Sequence, residues 1–458
     1  MGRILARGSW LVAVLLCLGL IAWHLLAPAQ RVASAPEPSP LPLASASAWG
    51  DASEAPLPDA AALSTAVSAA LAGKHGKYAV SVQDVATGES LVDLDGATPG
   101  VPASSLKLLT GAAALASFDR DHRFPTLATL GTDGTLRLVG GGDALLGAGA
   151  SDTAAVQGHA GLKTLAKEAV AALSESGIRS SYSVGVDTSL FPAPALNPDW
   201  TEDLITTNNI TEIQTPVLNA GRAAASHSSA VVRRPAEAAL TSFVEALNAA
   251  AKAAGIKASF TGVGQVAALK GATTLATVES ATLLEQLHYM EKHSDNFMAE
   301  TFGRLVAIQR GAAGGYQEAT EQVSAAVKEL GVNVDGLVMR DTSGLAATNR
   351  VSPATLAGLL AHAETSPRAD LRELAGLLPV SGSTGTLTGR LGATDTKGLV
   401  RAKTGTLAAV VSLSGYATTK DGRLLSFSVM ASGVQGAIAE ARAAVDTVAA
   451  TLVACGCR

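Results

Sequence analysis

Three short polar motifs constrain what this 458-residue chain can fold into: Ser104-Ser105-Leu106-Lys107, Ser294-Asp295-Asn296 and Lys403-Thr404-Gly405. Each pattern occurs once, in segments otherwise dominated by Ala, Leu and Val. If the three share one site, the fold must bring positions 104, 294 and 403 together although the first two lie 190 positions apart. Early and late segments then have to meet, with a long stretch of chain looped out between them.

The local patterns agree with that demand. A helical stretch at 60–72 precedes strand-like runs at 78–84 and 90–94, with a turn at Ala86-Thr87-Gly88; this is a hairpin signal. Residues 104–117 read as a buried helix interrupted only by Gly111. Near the other end, apolar runs at 402–416 and 423–429 flank Lys420-Asp421-Gly422 and suggest a second hairpin, followed by an Ala-rich helix at 437–453. The expected fold is therefore α+β, an antiparallel sheet completed from both chain ends and flanked by helices. Residues 121–270 change character, with a strand-like run at 135–139, Ala-rich helical segments and loops at Asn197-Pro198 and Thr215-Pro216. They read as one or two inserted modules. Gly140-Gly141-Gly142-Asp143 lacks the spacing of either nucleotide-binding loop and reads as a turn. From about residue 280, Leu283, Leu284, Leu287 and Met290 form the core-facing stripe of a helix leading into Ser294.

The motifs carry a specific chemistry. A serine hydroxyl is a weak nucleophile and needs an adjacent base. On a helix, positions i and i+3 share a face, so Ser104 Oγ can meet the Lys107 amine. Burial beside a second cation lowers a lysine's pKa, and Lys403 is the obvious second cation. Its strand also offers the hydroxyls of Thr404 and Thr406, on either side of Gly405, which together with the Lys403 charge suit a substrate carboxylate. Backbone N–H groups at Ser104 and Thr406 can stabilise an oxyanion. Taken singly, each motif has a bland explanation as a helix start, a cap or a strand end. The ordered set carries the weight. His288 and His293, on a helix with charged neighbours, read as surface histidines rather than bases.

Composition excludes other functions. The net charge is −5 with no basic stripe, which argues against nucleic-acid binding. Three cysteines are too few for a disulfide framework. Cys17 lies in an apolar run; Cys455-Gly456-Cys457 lacks the further ligands of a zinc site and reads as a local disulfide or two free thiols. Arg3 and Arg7 precede an apolar stretch at 10–26, an export signal with its positive end inside. The expected organisation is a signal peptide or signal anchor at 1–27, a Pro/Ala/Ser linker at 28–59, catalytic segments at 60–120 and 271–458, and the insert between them. Everything beyond the export signal is expected in the cell envelope, anchored by the N-terminal helix in contact with the membrane or released after cleavage.

At these motifs the chain resembles the class C low-molecular-mass penicillin-binding proteins, the serine-type D-alanyl-D-alanine carboxypeptidases and endopeptidases. The long gap between Ser104 and Ser294 is typical of that branch. Further likenesses are Val139-Gly140-Gly141-Gly142-Asp143, Asp341-Thr342-Ser343-Gly344-Leu345, Asn349-Arg350-Val351-Ser352-Pro353, Leu378-Pro379-Val380 with Gly385-Thr386-Leu387, Ala299-Glu300, and Thr406 extending the last motif. The resemblance implies a penicillin-recognising serine transpeptidase-like domain with a large insertion. It implies acylation of Ser104 by a peptidoglycan stem peptide, with Lys107 taking the proton and Ser294 relaying it to the leaving D-Ala. Asn296 would hold the substrate amide, and Lys403, Thr404 and Thr406 the terminal carboxylate. β-Lactam antibiotics would acylate the same serine, and no cofactor or metal is implied. A β-lactamase-like hydrolase and a non-catalytic wall sensor or scaffold are the rival readings. The first lacks a convincing acidic motif for the deacylating water, and the second has no use for Lys107.

Overall fold

The computed structural model describes residues 54–456; the apolar N-terminal segment, most of the linker and Cys457 lie outside the described residues. Helix α1 (Ala60–Leu71) starts where Asp59 accepts a hydrogen bond from Ala62 N, and strands β1 (Lys77–Asp84) and β2 (Ser90–Leu94) follow. A single 3₁₀ turn (Ala103–Leu106) leads into helix α2 (Lys107–Ser117). Next come β3 (Pro125–Leu130), β4 (Leu136–Gly140), α3 (Leu162–Glu175), β5 (Ser181–Asp187), α4 (Pro235–Ala253), β6 (Ser259–Gln265) and β7 (Thr273–Glu279). Helices α5 (Leu283–His293), α6 (Asn296–Gln309), α7 (Tyr316–Glu329) and α8 (Pro353–Thr365) precede β8 (Val400–Leu407), β9 (Val410–Thr418), β10 (Leu424–Ser432) and α9 (Ile438–Ala454).

Two five-stranded sheets result. The first, in order β2-β1-β10-β9-β8, is antiparallel throughout and joins the early hairpin to the late strands through the β1–β10 pair. The expected α+β sheet completed from both ends is present. The second sheet, β6-β5-β4-β3-β7, mixes parallel and antiparallel pairs and draws its strands from residues 125–279. Its own core is formed with α3 and α4 through residues such as Leu138, Leu165, Val184 and Phe243.

The first sheet is covered on both faces, so β9 and β10 are buried along almost their whole length. One face presents Val411, Leu413, Leu425, Phe427 and Val429 to Leu63, Val67, Val445 and Leu452 of α1 and α9. The opposite face carries Ser412, Ser414, Ser426 and Ser428, all fully buried. These small side chains let the turn at 103–106 come close. Ser105 Oγ lies 2.8 Å from Ser412 Oγ, and Ser412 Oγ donates to Pro102 O at 2.6 Å.

Three boundaries differ from the sequence reading. The run at 402–416 is two strands, β8 and β9, because the chain reverses at Ala408-Ala409. The α-helix expected from Ser104 begins at Lys107, and Ser104 sits on the 3₁₀ turn before it. Helix α5 starts at Leu283, where Thr282 and Glu285 form a reciprocal capping box. Cys455 is buried and disulfide-bonded, which resolves the state of that cysteine in favour of a bridge. Among the described residues no helix is long and apolar enough to cross a membrane.

A buried ion pair ties the two chain ends. Arg423 donates from Nε and Nη2 to the fully buried Asp84 at 2.5 and 2.7 Å, linking the start of β10 to the end of β1. Removing one partner of such a pair strands the other charge. Arg423→Ala should therefore lower unfolding stability by about 3–5 kcal/mol in urea titrations, whereas Arg234→Ala, which breaks an exposed pair with Glu237, should cost below about 1 kcal/mol.

Candidate active site

The three motifs meet where the 3₁₀ turn, the α5–α6 junction and β8 converge. Ser104 is held on a turn whose preceding residue, Ala103, has φ +48°, a conformation that costs a side-chain-bearing residue roughly 1 kcal/mol or more. Two glycines make room for that turn. A Cβ on Gly344 (φ +88°) would overlap Ala103 O, and one on Gly405 would lie 2.8 Å from Pro102 O and 3.0 Å from Ala103 Cβ. The glycine of the Lys403-Thr404-Gly405 motif is therefore a packing requirement of the serine turn.

Lys107 is fully buried on the first turn of α2. Its Nζ lies 3.0 Å from Ser104 Oγ and donates to Asn296 Oδ1 at 2.8 Å and Ser343 O at 2.7 Å. The last two can only accept. A neutral amine has two N–H donors and one lone pair, so with both donors engaged the lone pair is left for the Ser104 hydroxyl. Burial pushes the Lys107 pKa down, while Glu291, Asp341, Asp295 and Glu300 pull it back up. Lys403 is also fully buried and donates to Ser294 Oγ at 2.7 Å and Thr404 O at 3.0 Å. Its pKa is lowered by burial first and by Lys107 second. Burial, more than the neighbouring cation, is thus what depresses Lys107, which corrects the emphasis of the sequence reading.

Helix geometry sets Ser294 and Asn296. Ser294 ends α5 in the left-handed conformation, φ +56°, and Asp295 then caps α6 by accepting from Met298 N at 2.9 Å. That reversal aims Ser294 at Lys403 and Asn296 at Lys107. The Asn296 carboxamide is held at both ends, since Nδ2 donates to Asn209 O at 2.9 Å. Thr404 Oγ1 donates to Thr386 Oγ1 at 2.9 Å, and Thr406 is exposed near the end of β8. All eight residues singled out from the sequence, Ser104, Lys107, Ser294, Asn296, Lys403, Thr404, Gly405 and Thr406, therefore lie on the three segments that converge here.

Several contributors were not singled out as site residues. Asn209 comes from the long segment between the motifs and gave no sequence signal. Ser343 O is fixed from behind, where Glu300 accepts from Thr342 N at 3.1 Å and Ser343 N at 2.8 Å, and Asp341 accepts from Gly344 N and Ala346 N. Burial raises the Glu300 pKa to about 7. His288 and His293 are half-buried rather than on the surface, and burial lowers them to about 4 and about 3. His293 stacks on His227 with centroids 4.2 Å apart, and His227 Nδ1 is 3.5 Å from Asp295.

A match to the family described as D-Ala-D-Ala carboxypeptidase 3 (S13) spans residues 63–231 and 222–452. The chain belongs to that family. It is 34% identical over 411 residues to carboxypeptidase DacB of Mycolicibacterium smegmatis, covering 88% of this chain and 86% of that one. It is 30% identical to a D-alanyl-D-alanine carboxypeptidase of Actinomadura sp. strain R39, covering 78% of each. Its fold is that of penicillin-binding protein 4 from Haemophilus influenzae, with a TM-score of 0.65 at 20% identity over 84% of this chain and 98% of the other. The resemblance read from the motifs, the α+β class and the assignment as a serine-type carboxypeptidase are borne out.

In this carboxypeptidase the position of the serine depends on the glycine beneath it. Gly344→Ala should lower the rate of Ser104 modification by penicillin by roughly tenfold or more, the scale expected for an ångström-sized misplacement. Stopped-flow labelling would measure this, and circular dichroism should show the same secondary structure as the parent.

Proposed function

We propose that Ser104 is the nucleophile of a D-Ala-D-Ala carboxypeptidase and that neutral Lys107 is its base. The observation that carries this reading is the three-way engagement of the Lys107 amine, which directs its lone pair at Ser104 Oγ. Ser104 Oγ attacks the carbonyl of the penultimate D-Ala of a peptidoglycan stem peptide while its proton passes to Lys107. The oxyanion is stabilised by the backbone N–H groups of Ser104 and Thr406. Ser294, hydrogen-bonded to Lys403, relays the proton taken up by Lys107 to the amine of the departing D-Ala, so that Lys107 is neutral again once the ester has formed. Water then hydrolyses the ester and regenerates Ser104.

Binding follows from the same elements. β8 is the outer strand of its sheet, bridged on its far side at Arg401 by Val380, so the edge at 404–406 can receive an extended peptide by strand addition. Lys403, Thr404 and Thr406 hold the terminal carboxylate, and the remaining N–H of Asn296 donates to the substrate amide. β-Lactams occupy the same place and acylate Ser104; the related H. influenzae protein has been crystallised with a β-lactam. Cross-linked peptides with a D-Ala carbonyl in this position are candidate endopeptidase substrates. The insert expected at 121–270 runs on to β7 at 279, the strand that pairs with β3, and lends Asn209 O to the Asn296 contact; the N-terminal apolar segment tethers the enzyme at the outer face of the membrane or is cleaved.

Release of D-Ala from muropeptides and covalent labelling by fluorescent penicillin test this assignment. Ser104→Ala should abolish both, and Lys107→Ala should cut acylation by about 10³-fold or more, as loss of a general base does. A folded Lys107→Ala protein that labels at the parent rate would refute the base assignment. Lys403→Ala should raise KM for carboxylate-bearing substrates by roughly 10- to 100-fold, since a charge-assisted hydrogen bond is worth about 1.5–3 kcal/mol.

A further inference from the structure

Glu291 occupies a position where an apolar residue would cost less. It lies on the buried side of α5, four residues after Leu287, and is fully inaccessible. Neither carboxylate oxygen has a hydrogen-bond partner among the described residues. An unpartnered buried carboxyl is expensive, and a leucine or methionine there would extend the apolar stripe at no such cost. The space for it is provided by Gly111, one helical turn beyond Lys107 on α2, where a Cβ would stand 3.2 Å from Glu291 Oε1. The carboxyl therefore lies against α2 at the turn that follows Lys107.

The charges around Glu291 are few. Among the elements packed on α5, the short helix Leu374–Leu377 and the 3₁₀ turn Gly385–Leu387 carry no titratable residue. Helix α2 brings only Lys107. Helix α6 brings Glu300, engaged by Thr342 and Ser343, Arg304, which donates to Ile213 O and Pro194 O, and the capping Asp295. On α5 itself, Glu285 is committed to the capping box, Tyr289 donates its hydroxyl to Gln157 Oε1, and His288, Lys292 and His293 complete the set. The cations that act on Glu291 are Lys403 and Lys107.

We propose that Glu291 is a positioning residue whose buried carboxylate balances a single positive charge shared between Lys107 and Lys403, so that one of the two amines is left neutral. Asp295, Asp341 and Glu300 accept hydrogen bonds from backbone N–H groups, which leaves Glu291 as the carboxyl without a partner among those acting on Lys107; that carboxylate and the two lysines are net neutral when only one lysine is charged. The proposed chemistry needs that arrangement, with a cation for the substrate carboxylate and a free amine for Ser104. Burial raises the Glu291 carboxyl and the two lysines pull it back down, consistent with mutual dependence of the three groups. The inference rests on the proposed roles of Lys107 and Lys403.

The test is the acylation rate by benzylpenicillin, itself a carboxylate, measured from about pH 5.5 to 10 for the parent, Glu291→Gln and Glu291→Asp. Loss of the negative charge lowers both lysine pKa values, so in Glu291→Gln both limbs should move to lower pH by about one unit. Acylation then falls roughly tenfold on the alkaline side and rises on the acid side, while Glu291→Asp should restore the parent limbs. A Glu291→Gln profile superimposable on the parent overturns the proposal. A uniform drop with unmoved limbs also overturns it, because that is a packing effect. If Glu291→Gln does not fold, ¹³C-glutamate NMR of the parent protein decides. The Glu291 carboxyl should titrate in step with Lys107 and Lys403, and independent titration contradicts the idea. An unacylated parent would instead remove the nucleophile assignment beneath it.

Discussion

The site is organised by one buried amine. Lys107 has no access to water, and its ammonium form would need three good acceptors to offset the loss of hydration. The protein supplies two fixed ones, Asn296 Oδ1 and Ser343 O, and makes the third a hydroxyl that can donate as well as accept. With a hydroxyl in the third place, the Lys107 amine can either donate to Ser104 or accept from it. The surrounding architecture holds these three atoms in place.

Each support has a traceable cause. The serine-lined face of β9 and β10 lets the 3₁₀ turn lie against the sheet, and Gly344 and Gly405 remove the side chains that would push it away. The left-handed Ser294 and the capping Asp295 turn α5 into α6 within two residues, so that Ser294 and Asn296 reach different lysines. Glu300 and Asp341 fix the loop whose carbonyl receives the second Lys107 donor. The antiparallel sheet contributes from both chain ends, which is why motifs far apart in sequence share a volume small enough for direct hydrogen bonds.

Much of this was legible in the sequence because it lies in ordered motifs and in apolar runs with clear periods. The N-terminal hairpin, the helix before Ser294 and the closing helix were placed within a few residues. The run at 402–416 was read as one strand because Ala408-Ala409 carries no Gly or Pro to mark the reversal into β9. The site's supporting residues were less visible. Asn209 contributes a backbone carbonyl, which leaves no trace in residue identity. Glu291 did leave one, as an acid on the apolar stripe of α5, but its partners Lys107 and Gly111 become neighbours only through helix packing. His288 and His293 were misplaced because charged sequence neighbours do not report how neighbouring elements cover a helix.

Whether burial leaves Lys107 neutral enough to act on Ser104 can be read from a ¹³Cε NMR titration of that lysine. The midpoint should lie below the ordinary lysine value of about 10.4 and be displaced once penicillin has acylated Ser104 and removed the hydroxyl facing the amine. A Lys107 that titrates at the ordinary value, and is indifferent to acylation, would contradict that role.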